Sequence, residues 1–366
     1  MHEARTAQGA PTPLVPAARV ARLRRDLLAW YLANKRDLPW RRTRDPYAVW
    51  LSEVMLQQTR VETVVPYYAR FLRAFPTVHA LAEAPEGDVL ALWSGLGYYR
   101  RARMLHEGAR HVARVRGGAF PSDADGLRTI PGIGPYTAGA VASIAFGTAA
   151  PLVDGNVARV LARLFAIEDD VRATVGLARV WALAGALVDP DAPGEWNQAL
   201  MELGATVCSP REPRCDACPV LASCEARRLG IERRLPLLRP KTKPKDEARV
   251  AIVATRGDRV LLARRKPDLR FGGLWEPPGA EGSEVSVLAT LAGAPLEGVR
   301  EVGSVVHVLS HRRLAVTVFA ARIGRAPAAD IDAADYDRRA LVAMGELGAH
   351  GLSTLARKIL ARASVA

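Results

Sequence analysis

All four cysteines of this 366-residue chain stand between Cys208 and Cys224, spaced C-x6-C-x2-C-x5-C as Cys208, Cys215, Cys218 and Cys224. Any fold the chain adopts must bring these thiols close together. In a reducing compartment such a cluster argues for metal ligation over disulfides. Zinc held by four cysteines usually takes two C-x2–4-C knuckles, and only Cys215 and Cys218 form such a pair. A cubane iron–sulfur cluster also takes four thiolates and tolerates the uneven spacing, so a [4Fe-4S] cluster is favoured, with zinc as the alternative. Sulfur at every ligand position leaves nothing open to substrate, which points to a structural staple. Arg211 and Arg214 lie on the intervening loop, within reach of a phosphate.

The chain is long enough for two domains of roughly 100–200 residues each. Its 49% hydrophobic and 24% charged content is ordinary globular composition and excludes disorder throughout. No apolar run approaches the roughly 18 residues that span a bilayer, so a membrane protein is not expected. The N-terminal segment lacks the apolar core of a secretory signal, which places the chain in the cytoplasm. A net charge of +13 implies a polyanionic partner, nucleic acid or an acidic membrane surface, without choosing between them.

Residues 17–228 carry apolar positions at helical spacing between Gly and Pro punctuation, as in Val49–Phe75, Val89–His111 and Val157–Ile167. This part reads as all-α, with a hairpin-containing half (41–149) and a cluster-bearing half (17–40 plus 150–228). From Arg249 the pattern alternates. VAIVATRGDRVLLARR and VVHVLSHRRLAVTVFAARI each predict a pair of strands, with short helices over Val285–Ala292 and Ser353–Ala363. Residues 248–366 therefore read as an α+β domain. The intervening 229–247 is a Pro- and Lys/Arg-rich linker, and Ala226–Arg249 carries nine basic and three acidic residues. It is either a solvated spacer or a surface for the DNA backbone or a protein partner.

Between two helix-like runs stands Leu127-Arg-Thr-Ile-Pro-Gly-Ile-Gly-Pro-Tyr-Thr-Ala138. Its glycines permit positive φ and leave amide N–H groups unobstructed at the start of the next helix, where a phosphate can bind. With Ile130 and Ile133 as packing anchors, the turn reads as a helix-hairpin-helix whose Gly132, Ile133 and Gly134 contact the DNA backbone. Such contacts position the protein without reading sequence.

The hairpin, the following VDGNVARV (153–160) and the cysteine cluster resemble the endonuclease-III-like superfamily of DNA glycosylases. LPWRRTRDPYAVWLSEVMLQQTRVETV (38–64), LWSGLGYYRRAR (92–103), WNQALMELGATVC (196–208) and the second domain are similar to the MutY-type adenine glycosylases, which act opposite 8-oxoguanine. The resemblance covers most of the chain. Lyase relatives carry a lysine where this chain has Tyr136, so no Schiff-base amine is present and a monofunctional enzyme is implied. Glu53 lies in WLSEVML, an apolar stretch that would raise its pKa. Taken alone it reads as a carboxylate at a helix start; the resemblance makes it the general acid that protonates adenine and then activates water. Asp154 alone reads as a helix N-cap. By resemblance it faces the sugar and stabilises the oxocarbenium ion or traps it covalently, a division similar to that of a retaining glycosidase. Asn156 and Tyr136 match family positions that hydrogen-bond around these carboxylates.

Extruding a base from duplex DNA requires something to fill the gap. The resemblance assigns that wedge to Gln58 and Tyr98, with Thr59 and Leu96 beside them, although Tyr98 alone reads as core. It assigns the adenine pocket to Trp40, Arg41 and Gln198. The run Phe271–Gly279 (FGGLWEPPG) resembles the Nudix fold. The carboxylates of a working Nudix helix are missing from the AEGSEVSVLATLAGAPLEG that follows, so nucleotide hydrolysis is not expected. The resemblance instead implies an 8-oxoguanine reader with Ser310 and His311 in its loop, preceded by Leu309 where the family has an aromatic. The expected partner is double-stranded DNA carrying 8-oxoguanine·A mispairs, bound by a monomer at the nucleoid, with the linker open to a repair or replication protein. Three rivals stand against this: a lyase-type pyrimidine glycosylase, a non-catalytic lesion binder and a nucleotide pyrophosphatase.

Overall fold

The computed structural model describes residues 14–238, 243–309, 311–330, 333 and 335–364. The helices are α1 (Ala17–Asn34), α2 (Pro46–Leu56), α3 (Val61–Ala74), α4 (Val78–Glu83), α5 (Glu86–Trp93), α6 (Arg100–Arg116), α7 (Ala124–Arg128), α8 (Pro135–Phe146), α9 (Gly155–Leu164), α10 (Thr174–Leu187), α11 (Pro193–Thr206), α12 (Glu225–Arg228), α13 (Ser286–Ala292) and α14 (Thr354–Ser364). The strands are β1 (Lys245–Arg256), β2 (Arg259–Arg265), β3 (Trp275–Glu276), β4 (Gly279–Glu281), β5 (Leu296–Val308), β6 (Arg312–Ile323) and β7 (Tyr336–Ala343). An all-helical part followed by an α+β part is the expected fold class. Among the described residues no helix is long and apolar enough to cross a membrane.

By contacts the chain groups into two compact units, one within Met1–Val54 and Ala119–Pro240, the other within Met55–Gly118 and Lys241–Ala366. This grouping does not follow chain order. Residues 55–118 fall in the same contact unit as the strands. Ser94 Oγ and the Tyr99 hydroxyl both donate to the Leu352 carbonyl, at 2.7 and 2.8 Å.

In the first unit, α1 buries Leu23, Leu27 and Tyr31, one residue per turn, so its apolar stripe faces a single core. α9 lies deepest: every residue from Val157 to Leu164 is buried, including Arg159 and Arg163. The Val49–Phe75 stretch is two helices rather than one, as is Val89–His111. Both stretches break where the chain turns through positive φ, at Gln58 and at Gly95, Gly97 and Tyr98, which no helix permits.

In the second unit the strands form one mixed sheet in the order β3-β2-β1-β6-β5, with β4 on β1 and β7 on β2. The two hairpins expected from sequence are present as antiparallel β1/β2 and β5/β6. β1 and β6 run parallel, a long-range pairing that local alternation does not encode. β1 is buried on both faces: Ala251 and Val253 join the cluster under α14, while Val250, Ile252 and Ala254 join the one under α13. β1 begins at Lys245, so it takes in the last residues of the segment read as linker. There Glu247 accepts hydrogen bonds from Arg270 and Arg312, at 2.9 and 2.7 Å.

Candidate active site

Glu53 sits in the penultimate turn of α2, not at a helix start, and is 4% exposed among Trp50, Leu51, Val54 and Met55. The hydroxyl of Tyr136, in the first turn of α8, donates to Glu53 Oε2. Burial pushes the Glu53 carboxyl up to about 7, against the lowering effect of that hydrogen bond; the Asp154 charge raises it further and Arg41 lowers it. Tyr136 is pushed well above its usual range, first by burial and then by the two carboxyls, so it stays a neutral donor. The Met201 sulfur of α11 lies 3.5 Å from the same hydroxyl.

Asp154 is the N-cap of α9 that its position ahead of the helix predicts. One oxygen caps α9, accepting from Val157 N–H at 2.7 Å; the other accepts from Asn156 Nδ2 at 3.0 Å. Burial raises its pKa, while these donors, the Asn156 N–H and Arg159 lower it. Burial raises both carboxyls, but the donors around Asp154 favour its anion, whereas the partner of Glu53 is a neutral phenol. Paired carboxyls whose environments push them apart can divide acid and anion duties. Asn156 is held in turn by Arg159 Nη2 at 2.8 Å, and Arg159 also donates to the carbonyls of Gly204 (2.7 Å) and Cys208 (2.8 Å).

Of the residues that the resemblance assigns to an adenine pocket, Arg41 and Gln198 line one cavity of about 100 Å3 together with Ser143 and Gly194. Trp40, next to Arg41 in the short turn Pro39–Arg41, is buried in the core. Arg41 is committed to Glu202 Oε2 at 2.7 Å, and Arg36 donates to the same carboxylate at 2.7 and 2.8 Å. Sequence reasoning missed Glu202, Met201 and Arg159. The quoted motif WNQALMELG did carry a signal, because Gln198, Met201 and Glu202 stand three and four positions apart on one helical face.

A family model described as "HhH-GPD superfamily base excision DNA repair protein" matches residues 51–181, and a NUDIX domain model matches 249–362. An adenine DNA glycosylase of Homo sapiens is 40% identical over 366 residues, covering 82% of this chain and 67% of that protein. One of Rattus norvegicus is 40% identical over 374 residues, covering 85% and 72%. The chain belongs to the adenine DNA glycosylase family. As a DNA glycosylase it is a hydrolase of N-glycosyl bonds. A solved thermostable thymine-DNA glycosylase matches with a TM-score of 0.52 at 30% identity, covering 57% of this chain and 96% of that one.

In this adenine DNA glycosylase family member the hairpin lies between α7 and α8. Gly132 takes φ 83° and, like Gly134, is exposed, while Ile133 is buried and its N–H is bonded to the Ile130 carbonyl at 3.1 Å. The residues expected to form the wedge belong to the other compact unit. Gln58 and Tyr98 are exposed, Tyr98 by 51%, which removes its reading as core; Thr59 is half-buried and Leu96 buried. His311 is exposed at the β5–β6 turn, its carbonyl accepting from Lys245 N–H at 2.9 Å. Leu309 packs against the α14-side core, and Ser310 lies outside the described residues. α13 reads SVLATLA and carries no carboxylate.

The four cysteines are unpaired by disulfide and half-buried, and Cys208, Cys218 and Cys224 pack against the first unit's core. Among the described residues no three His, Cys, Asp or Glu side chains converge as a single bound ion requires. Burial pushes Cys218 up to about 12 and raises Cys215 and Cys224, and the thiols raise one another. Holding these sulfurs as thiolates needs positive charge close by. The buried Arg163 supplies part of it, donating to Cys208 Sγ at 3.2 Å. The donor set fits an iron–sulfur group.

Proposed function

We propose that this enzyme hydrolyses the N-glycosyl bond of adenine mispaired with 8-oxoguanine or guanine in double-stranded DNA, leaving an abasic site without cutting the strand. The observation that carries this reading is Glu53: a buried carboxyl pushed up to about 7, beside an Asp154 whose donors favour the anion.

Protonated Glu53 gives its proton to the departing adenine, because an adenine anion leaves poorly, and the resulting carboxylate then activates water. Tyr136 orients the Glu53 oxygen. Asp154, held by Val157 and Asn156, stabilises the positive charge that grows on the sugar or bonds to it transiently. Arg41 and Gln198 border the pocket for the extruded base, and Trp40 supports it from the core. Gln58 and Tyr98, with Thr59 and Leu96, fill the vacated stack. Gly132, Ile133 and Gly134 hold the backbone, and Ser310 and His311 read 8-oxoguanine. Cys208, Cys215, Cys218 and Cys224 would hold a [4Fe-4S] cluster, which when bound supplies a structural staple next to α9. A cytoplasmic monomer at the nucleoid, with domains at 17–228 and 248–366 and a repair or replication partner on the basic linker, completes the proposal.

The test is single-turnover excision on a duplex with one 8-oxoguanine·A pair, analysed with and without alkali. Breaks appearing only after alkali support a monofunctional glycosylase; breaks without alkali point to a lyase, and none in either lane to a lesion binder. His311→Ala is expected to narrow the excision ratio between 8-oxoguanine·A and G·A duplexes more than it slows excision itself. An unchanged ratio removes His311 from recognition.

A further inference from the structure

The loops bearing Gln58 and Tyr98 adopt backbone conformations that need a cause. Gln58 has φ 59° and Tyr98 φ 49°, both in the left-handed region that side-chain-bearing residues rarely occupy, flanked by Gly95 at 105° and Gly97 at 73°. Such conformations persist only where their surroundings over-determine them. Here one side chain from the first turn of α6 reaches both loops. Arg101 Nη1 donates to the carbonyls of Met55 (2.9 Å) and Gln57. Its Nη2 donates to Thr59 Oγ1 at 3.1 Å and to the carbonyls of Leu96 and Gly97 at 3.4 and 3.2 Å. The guanidinium carbon also lies 5.5 Å from the ring centres of both Trp93 and Tyr98. Burial lowers the Arg101 pKa to about 10, which leaves it charged at neutral pH.

We propose that Arg101 is the positioning residue of the wedge: its planar fork ties the 55–59 and 96–98 loops together before DNA arrives, so that base extrusion depends on it and bond cleavage does not. The proposal rests on reading Gln58 and Tyr98 as the residues that enter the stack. With the loops preset, their ordering is not charged to extrusion. A lysine has the charge and three donors but no fork, so it cannot hold both loops at once.

The experiment uses the full chain and a duplex whose target adenine opposite 8-oxoguanine is replaced by 2-aminopurine, which brightens when unstacked. The rise is followed by stopped flow beside single-turnover excision of adenine. Arg101→Lys is expected to slow the fluorescence rise by about tenfold or more, the size of one hydrogen bond to a charged group, and to leave the pH midpoint of bond cleavage where it is. A purely structural role would not separate the two. Thr59→Val keeps the guanidinium and removes one arm, so it should slow the same rise by a smaller factor, even if the Lys variant unfolds. An unchanged rise in both variants overturns the proposal, as does slowed excision behind an unchanged rise. Gln58→Ala and Tyr98→Ala separate the two layers. If they slow the rise while Arg101→Lys does not, the wedge reading stands and the role of Arg101 falls; if neither slows it, both fall.

Discussion

Glu53 and Glu202 are buried acids of the same helical unit, 4% and 1% exposed, yet they titrate far apart. Burial pushes both upward. For Glu53 it prevails, because the Tyr136 phenol is neutral and the Asp154 charge adds to the rise, leaving it at about 7. For Glu202 the hydrogen bonds and charges of Arg36 and Arg41 more than offset burial and hold it at about 2. Desolvation alone does not decide what a buried carboxyl can do; the charge of its donors does. Glu53 can exchange a proton near neutral pH, whereas Glu202 is a permanent anion that fixes two arginines, one of them on the wall of the candidate adenine pocket.

Replacing each acid by its amide should have opposite consequences. Glu53→Gln is expected to reduce single-turnover excision by about 10²–10⁴-fold, the usual contribution of general acid catalysis, with the unfolding midpoint preserved. Retained excision would end the comparison. Glu202→Gln leaves two guanidiniums without their carboxylate and is expected to cost roughly 3–5 kcal/mol, measured by urea unfolding. Only a small shift there would mean that Arg36 and Arg41 find other partners.

A smaller effect lies in pH. In the proposed mechanism the working form of Glu53 is the acid, so bond cleavage should be level below about 7 and fall about tenfold per pH unit above it, a fall that disappears in Glu53→Gln. Stability carries the same signature. Between 4.5 and about 7 folded Glu53 keeps a proton that the unfolded chain has lost, so its contribution declines as pH rises through that window. Glu202 acts the other way: its contribution is present above 4.5 and is lost as pH falls towards about 2. Calorimetry across both windows, with each amide variant, separates them. The smallest change is expected at Asp37, exposed and paired with Arg42: Asp37→Ala should leave both excision and the unfolding midpoint where they are. A measurable loss would show that exposed pairs matter here as buried ones do.

Much of this arrangement was legible from local pattern. The hairpins β1/β2 and β5/β6 and the hairpin turn before α8 are all short-range features, and the structure has each of them. Illegible were the left-handed turns at Gln58 and Tyr98, whose loops are joined by hydrogen bonds from the Arg101 side chain. Equally hidden were the parallel pairing of β1 with β6 and the partners of Glu202, because these contacts close over long stretches of chain.

The residue types and spacings of this chain determined by themselves which chemistry was available: four thiols in one loop, a carboxyl in an apolar stretch, a second carboxyl ahead of a helix, and a tyrosine in the hairpin. Tertiary structure decided their protonation and their company. Tyr136 reaches Glu53 from 83 positions away, and Asp154 and Arg41 set the charge around it. A pKa depends on burial and on nearby donors and charges, and here those are supplied by helices distant in sequence.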